Sequence, residues 1–283
     1  MLLRPRQKTF VDRSISALDA HGNTLGVAPT GAGKTIMLSG VVGRMLEAND
    51  AKAAVLAHRE ELTAQNVLKF AKVNPKISTS IFDARSKSWR GRTTFAMVPT
   101  LARATNLDAM PALDLLVIDE AHHAVAPTYR KIIEDVKAAN PDCLVAGFTA
   151  TPGRGDGKGL RPVFDNVCDQ ITLGELINLG FLVPPRTFIQ TLPETAEALK
   201  KVRLKGGEFD MDEVAAIMDA TVHNERMVSL WREHAADRQS IVFCSTVVHA
   251  EHVCAAFQKA GVRAAVVSGE TPEAERKAIV DGL

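Results

Sequence analysis

Short, continuous apolar runs alternate with amphipathic stretches through roughly the first 150 residues. The runs Thr24–Ala28, Ala53–Ala57, Ile77–Phe82, Thr94–Val98, Leu113–Asp119 and Leu144–Thr149 predict strands. Helical periodicity fills the gaps at Lys34–Glu47, Glu60–Val73 and Thr128–Ala138. Strands apolar throughout, rather than alternating, belong to a parallel sheet covered on both faces. An α/β fold is therefore expected, with ligands at the carboxyl ends of the strands. After Pro152 the pattern breaks into the glycine-rich stretch Gly153–Gly159, read as a loop or hinge. A helix is predicted at Leu173–Leu179, and Gly180–Pro185 reads as an extended linker. The domain boundary is placed there, giving domains at 1–183 and 184–283. The second part carries strand patterns at Thr187–Gln190, Ser240–Cys244 and Arg263–Val267. Its helical patterns run from about Glu194 to Asp237, over Val247–Ala260 and over Pro272–Val280.

Composition narrows this picture. A chain of 283 residues with 46% hydrophobic and 24% charged residues is an ordinary globular protein of about two domains. Lys and Arg number 34 against 33 Asp and Glu, a net charge of +1. No global positive field advertises nucleic acid, so any such site is a local patch. Cys143, Cys168, Cys244 and Cys254 form no C-x-x-C pair and read as reduced, mostly buried thiols, which fits a cytoplasmic compartment. No window is long and apolar enough to span a membrane, and the N-terminal apolar stretch is too short for a signal peptide.

Two strings carry chemistry. Ala28-Pro29-Thr30-Gly31-Ala32-Gly33-Lys34-Thr35 follows an apolar strand and opens a helix, the context of a phosphate-binding loop. Small residues let backbone N–H groups face phosphate oxygens, and the helix N-terminus adds its dipole. Lys34 would reach the β- and γ-phosphates of ATP, and the Thr35 hydroxyl would ligate Mg²⁺. Ala28 stands where the strict pattern has its first glycine. The second string, Leu115–Ile118 followed by Asp119-Glu120-Ala121-His122-His123, sets two carboxylates at the end of a buried strand. Asp119 would hold Mg²⁺, and Glu120 would position and deprotonate the attacking water. Phosphoryl transfer is mostly positioning and charge neutralisation, which these groups supply.

Together these strings resemble a superfamily 2 DEAD/DEAH-box helicase, a P-loop NTPase with tandem RecA-like parallel-sheet domains. Other stretches follow the family's order. Leu3-Arg4-Pro5-Arg6-Gln7 looks like the glutamine motif, which implies that Gln7 reads adenine. Ala57-His58-Arg59-Glu60-Glu61-Leu62 looks like motif Ia, Val98-Pro99-Thr100-Leu101 like motif Ic, and Phe148-Thr149-Ala150-Thr151-Pro152 like motif III. Ile241–Ser245 resembles motif IV, and Gly269-Glu270-Thr271-Pro272 through Glu275-Arg276 the motif after it. The stretches Thr149–Leu160 and Gly180–Pro184 are similar to the branch of type I and III restriction subunits and bacterial repair helicases.

The resemblance implies an ATP-dependent helicase or translocase. Thr30, Gly31, Ala32 and Gly33 would line the nucleotide with Gln7, Lys34 and Thr35. His122, Thr149 and Thr151 would couple it to a nucleic-acid face carrying Arg59, Thr100, Ser245 and Arg276. DNA, from the branch resembled, is the expected partner, with RNA as the alternative; partner subunits or a nuclease stay unassigned. Arg85, Lys87, Arg90 and Arg92 around Trp89 read either as a strand clamp or as a solvated loop. The family's final motifs, with their arginine fingers, should follow residue 283. The second domain is therefore expected to be incomplete and nucleic-acid-stimulated hydrolysis low. The rival readings are a duplex translocase that does not unwind and a non-catalytic nucleotide-dependent binding module.

Overall fold

The computed structural model describes residues 3–47, 50–58, 60–153, 159–189, 193–205, 208–236 and 238–283. Contacts divide the chain into two units, residues 1–185 and 186–283.

The first unit begins with α1 (Pro5–His21), followed by β1 (Asn23–Val27), α2 (Lys34–Leu46), β2 (Ala53–Ala57), α3 (Glu60–Val73), β3 (Thr79–Phe82) and β4 (Thr93–Met97). Two short helices, α4 (Val98–Leu101) and α5 (Ala104–Leu107), precede β5 (Leu115–Asp119). A single 3-10 turn at Ala121–His123, α6 (Pro127–Ala139), β6 (Leu144–Thr149), β7 (Val167–Gln170) and α7 (Leu173–Asn178) complete it. The seven strands form one all-parallel sheet in the order β3-β4-β2-β5-β6-β1-β7. This is the predicted α/β class, an α/β RecA-like P-loop fold.

The continuously apolar strands split their side chains between two layers. On β5, Leu115 and Val117 join Phe10, Met37, Val41 and Phe70 of α1–α3. Leu116 and Ile118 join Leu101, Ile132, Val136 and Phe164 on the other face. Each such side chain, fully removed from water, contributes about 1.5–3 kcal/mol before the cost of ordering it.

Of the elements outside the sequence expectations, α1 and β7 complete the edge of the sheet beside β1. The sequence marks helix α1 only as a motif, although Pro5 at its first position and Gly22 in the left-handed C-cap conformation (φ 71°) bracket it. Strand β7 is short and carries Asp169 in its middle, so no apolar run announces it. Asp169 is buried and joins α1 to this edge. It takes Arg6 Nη1 at 2.5 Å and Nη2 at 3.0 Å, and Arg13 Nη1 at 3.0 Å.

The second unit contains α8 (Pro193–Leu199), the hairpin β8 (Leu204–Lys205) and β9 (Glu208–Phe209), α9 (Met211–Met218), α10 (Thr221–Ala235), α11 (Val247–Lys259) and α12 (Glu273–Asp281). Its core is Val228, Val253 and Phe257, with Trp231 edge-on to Phe257. The strands expected at Thr187–Gln190, Ser240–Cys244 and Arg263–Val267 do not form among the described residues, and Gln190 lies outside them. An apolar run becomes a strand only when a neighbour takes its N–H and C=O groups. Phe243 is 92% exposed and Ile241 68% exposed, and among the described residues no strand pairs with this run.

Two consequences follow for stability. A Cβ at Gly147 on β6 would lie 2.3 Å from Phe164 Cζ and 2.9 Å from Ala121 Cβ. Gly147→Ala should therefore destabilise by about 1–3 kcal/mol, read from the urea midpoint. Burial works hardest on Asp169 and opposes its charge, but the hydrogen bonds and charge of Arg6, with Arg13 and the Gln170 N–H, outweigh it and hold the carboxyl below its usual 3.8. A depressed folded-state pKa stabilises above the unfolded value and loses that contribution as pH falls. The stability gap between wild type and Asp169→Asn should be full at pH 7 and shrink steadily below about pH 4 in a pH series of unfolding curves.

Candidate functional site

The site lies at the carboxyl ends of β1, β6 and β5, which are adjacent in that order. Val27 pairs with Thr149 and Asp119 with Phe148, so the ends of the three strands are level. The Ala28 N–H donates to Thr149 O at 2.9 Å, extending the ladder into the loop.

The loop from Ala28 to Thr35 turns on two glycines with left-handed backbone, Gly31 (φ 89°) and Gly33 (φ 82°). A Cβ on Gly33 would sit 2.5 Å from Gln7 Nε2, and one on Gly31 would sit 2.8 Å from Leu182 Cδ2. Glycine is needed for both conformation and space. Gly33 is the N-cap of α2, whose first turn aims its unshared amides and positive dipole end into the loop. Lys34 and Thr35 open that turn.

Glu120, after β5, is the one non-glycine residue with positive φ among those described (φ 51°, ψ 51°). A left-handed glutamate is strained, and such strain is characteristic of functional turns. It places the carboxylate against Lys34, with Nζ to Oε1 at 2.5 Å. Asp119 Oδ1 lies 4.0 Å from the same ammonium. The other oxygen of Asp119 accepts from Asn66 Nδ2 at 3.1 Å, and Oδ1 accepts from the Glu120 N–H at 3.0 Å. Asp119 is 5% exposed, and burial pushes its carboxyl above the usual 3.8 despite Lys34 and Asn66.

Beyond Glu120 the turn reaches both neighbouring strands. His122 Nδ1 is 3.1 Å from Thr149 Oγ1 and 3.4 Å from Glu120 Oε2. Thr149 Oγ1 in turn accepts from the Thr151 N–H at 3.2 Å. Lys34, Glu120, His122, Thr149 and Thr151 thus form one connected chain of polar contacts. On the other side His123 stacks on His58 at the end of β2, with centroids 5.1 Å apart.

Gln7 is brought to the loop from α1. Its Nε2 donates to Ala32 O at 2.9 Å and its Oε1 accepts from the Arg4 N–H at 3.0 Å. Three residues here were missed by the sequence reading. Asn66 holds Asp119, Leu182 covers Gly31, and Arg6 anchors the start of α1 through Asp169 and Glu175. Asn66 belongs to no motif string, and the strings holding Arg6 and Leu182 do not name their partners, so only the fold reveals these contacts.

The expected nucleic-acid residues are less gathered. Arg59 lies outside the described residues. Thr100 is buried inside α4, where its carbonyl accepts from Asn106 Nδ2 at 2.7 Å. In the second unit Ser245 Oγ is 3.0 Å from His249 Nδ1, and Arg276 Nη2 donates to Ser268 O at 3.0 Å. Trp89 packs beside Phe82 at 5.0 Å, against the core, while Arg85, Lys87 and Arg90 are exposed. All four cysteines are unpaired thiols, with Cys143 buried and the others half-buried. Among the described residues no helix is long and apolar enough to cross a membrane.

A Schizosaccharomyces pombe protein named as a mitochondrial ATP-dependent helicase, irc3, is 30% identical over 292 residues, covering 98% of this chain and 46% of its own length. A Saccharomyces cerevisiae protein named as an ATP-dependent helicase, IRC3, is 24% identical over 295 residues, covering 99% of this chain and 42% of its own. The chain thus spans a little under half the length of these curated relatives. Among solved structures, the ATP-dependent type ISP restriction-modification enzyme LlaBIII bound to DNA shares the fold, with a TM-score of 0.58 at 13% identity. The likeness covers 92% of this chain and 21% of that one. A model of the family described as type III restriction enzyme, res subunit, matches residues 1–154, which carry the whole loop, the acidic turn and both threonines. Because that match takes in more than half of the chain, the protein belongs to the type III restriction enzyme res subunit family.

Proposed function

We propose that this chain carries the ATP-hydrolysing part of a DNA helicase or translocase, with Lys34, Asp119 and Glu120 as its catalytic centre. The observation that carries this is their convergence, within 4.0 Å of the Lys34 ammonium, at the N-terminus of α2. Cation, helix amides and two carboxylates at one strand edge suit the phosphates of ATP. The names of the yeast relatives and of the DNA-bound LlaBIII support a nucleic-acid motor. The second unit is read as part of a further RecA-like domain, beginning near residue 184. A cytoplasmic location rests on the four unpaired thiols.

Each residue has a distinct task. The amides of Thr30 to Thr35 cradle the phosphates. Lys34 exchanges Glu120 for a phosphate oxygen, and the Glu120 carboxylate so released accepts a proton from the attacking water. Thr35 and Asp119 would hold Mg²⁺, which neutralises charge on the phosphoryl oxygens. The donor set fits that ion: hard oxygens, one of them a buried carboxylate whose charge is otherwise disfavoured. Among the described residues no group of three His, Cys, Asp or Glu is arranged as a separate metal cage. His122 and Thr149 carry the state of Glu120 to Thr151 and the end of β6. Arg59, Thr100 in α4 and Ser245 in the second unit are assigned to nucleic-acid contact on the family resemblance. Backbone phosphate contacts of that kind bind without reading sequence.

Gln7 uses one N–H on Ala32 and one lone pair on Arg4. One donor and one acceptor remain, the pair that adenine N7 and N6–H₂ require. Gln7→Ala should therefore weaken ATP by about tenfold and leave GTP nearly as good a competitor, measured by nucleotide displacement. Glu120→Gln should bind ATP while releasing phosphate about 10²–10⁴-fold more slowly. Equal phosphate-release rates for the two proteins would mean that Glu120 is not the base.

A further inference from the structure

The buried carboxylate of Asp119 can serve a cation only if it points the right way, and its own torsions do not fix that. The last torsion of an aspartate is broad, so a carboxylate is oriented by what its two oxygens touch. Asp119 Oδ1 accepts from the N–H of the next residue, Glu120, at 3.0 Å, a contact that belongs to the turn itself. Oδ2 accepts from Asn66 Nδ2 at 3.1 Å, a donor 53 residues away on α3. The Lys34 ammonium stands 4.0 Å from Oδ1. Opposite charges this close attract more strongly where burial excludes water. A carboxylate free to turn would close onto Lys34 and occupy both groups with each other. The Asn66 amide holds Oδ2 and resists that turn.

Asn66 is itself firmly held. It is 2% exposed. Residues four apart share one face of a helix, so Asn66, Phe70 and Asn74 lie along one line of α3 and its C-terminal end. Phe70 is fully buried and edge-on to Phe95 of β4, with centroids 5.5 Å apart. The Asn74 N–H continues the helix by donating to Phe70 O at 2.8 Å, and its Nδ2 donates to Ser39 O on α2 at 2.8 Å. The face that carries Asn66 is thus pinned both to the sheet and to α2. A neutral amide suits the task, since it donates a hydrogen bond without cancelling the carboxylate charge.

We propose that Asn66 is a positioning residue for the cation that accompanies ATP: it fixes the Asp119 carboxylate apart from Lys34, in the orientation that keeps it open to Mg²⁺. This deepens the ATPase reading above and rests on it, because it takes Asp119 as a magnesium-holding group. Asn66 acts through Asp119. Residues that orient a metal-holding group in this way typically contribute about 10- to 100-fold to metal affinity.

Two measurements on the full chain separate this role from a structural one. The first is the Kd of a fluorescent ADP in EDTA. The second is the midpoint of a Mg²⁺ titration of the protein already loaded with that ADP. Asn66→Ala should raise the Mg²⁺ midpoint about 10- to 100-fold and leave the Kd in EDTA at the wild-type value. Damage to the fold would weaken both. Asn66→Leu, which keeps a branched side chain without the donor, should behave in the same way and serves where the alanine variant fails to fold. Asp119→Asn removes the carboxylate to be oriented, so adding Asn66→Ala to it should change the midpoint no further. If Asn66→Ala keeps the wild-type midpoint, or raises it only in step with the Kd in EDTA, the positioning role is overturned while the motor reading stands. If Asp119→Asn itself leaves the midpoint unchanged, the assignment of Asp119 to magnesium falls, and the role of Asn66 falls with it.

Discussion

The site depends on the parallel ladder that sets β6 between β1 and β5. Evenly spaced hydrogen bonds hold Val27, Thr149 and Asp119 within a residue of one another in register. Without that register, Lys34 at the start of α2 and Glu120 after β5, 86 residues apart in sequence, would have no reason to meet at 2.5 Å. The ladder is itself secured by apolar side chains on both faces. Gly147 on β6 is pressed by Phe164 and Ala121, so the packing that stabilises the sheet also seats the turn that follows the acidic pair.

Local strain and charge are then placed on that rigid base. Glu120 adopts a conformation costly for a side chain with a Cβ, and Asp119 is buried where its ionisation is disfavoured. Both are affordable because the sheet and Lys34 compensate: one fixes the backbone, the other offsets the charge. Tyr129 shows the reach of the same field. Burial first, then the carboxylates of Asp119 and Glu120, push its phenol up to about 12. A site that concentrates negative charge beside an ammonium and a helix N-terminus is ready for a polyanion accompanied by a cation.

The two units differ in how much their sequences predict. In the first, runs such as Ala53–Ala57 and Leu144–Thr149 became strands at the expected residues because burial on both faces leaves a continuous apolar strand few alternatives. In the second, Ser240–Cys244 and Arg263–Val267 are also largely apolar but form no ladder among the described residues. Their pattern records a preference for pairing, and pairing needs a neighbour. Helix α1 was missed for another reason: its polar residues Arg6 and Gln7 are spent on contacts far along the chain, so its apolar face, Phe10, Val11 and Leu18, is narrow.

The amino-acid sequence alone determined the chemistry on offer: a glycine-bearing loop before a helix, two carboxylates after a buried strand, and paired threonines after another. These signals are local, because the constraints behind them are local. Left-handed turns favour glycine, helix starts present free amides, and two-sided burial requires apolar runs. Only the tertiary structure decided which groups meet. It brought Asn66 to Asp119, Gln7 to Ala32, Leu182 over Gly31, and His58 against His123. Such contacts depend on strand order and register, and these are settled by the packing of the whole sheet rather than by any stretch of residues within it.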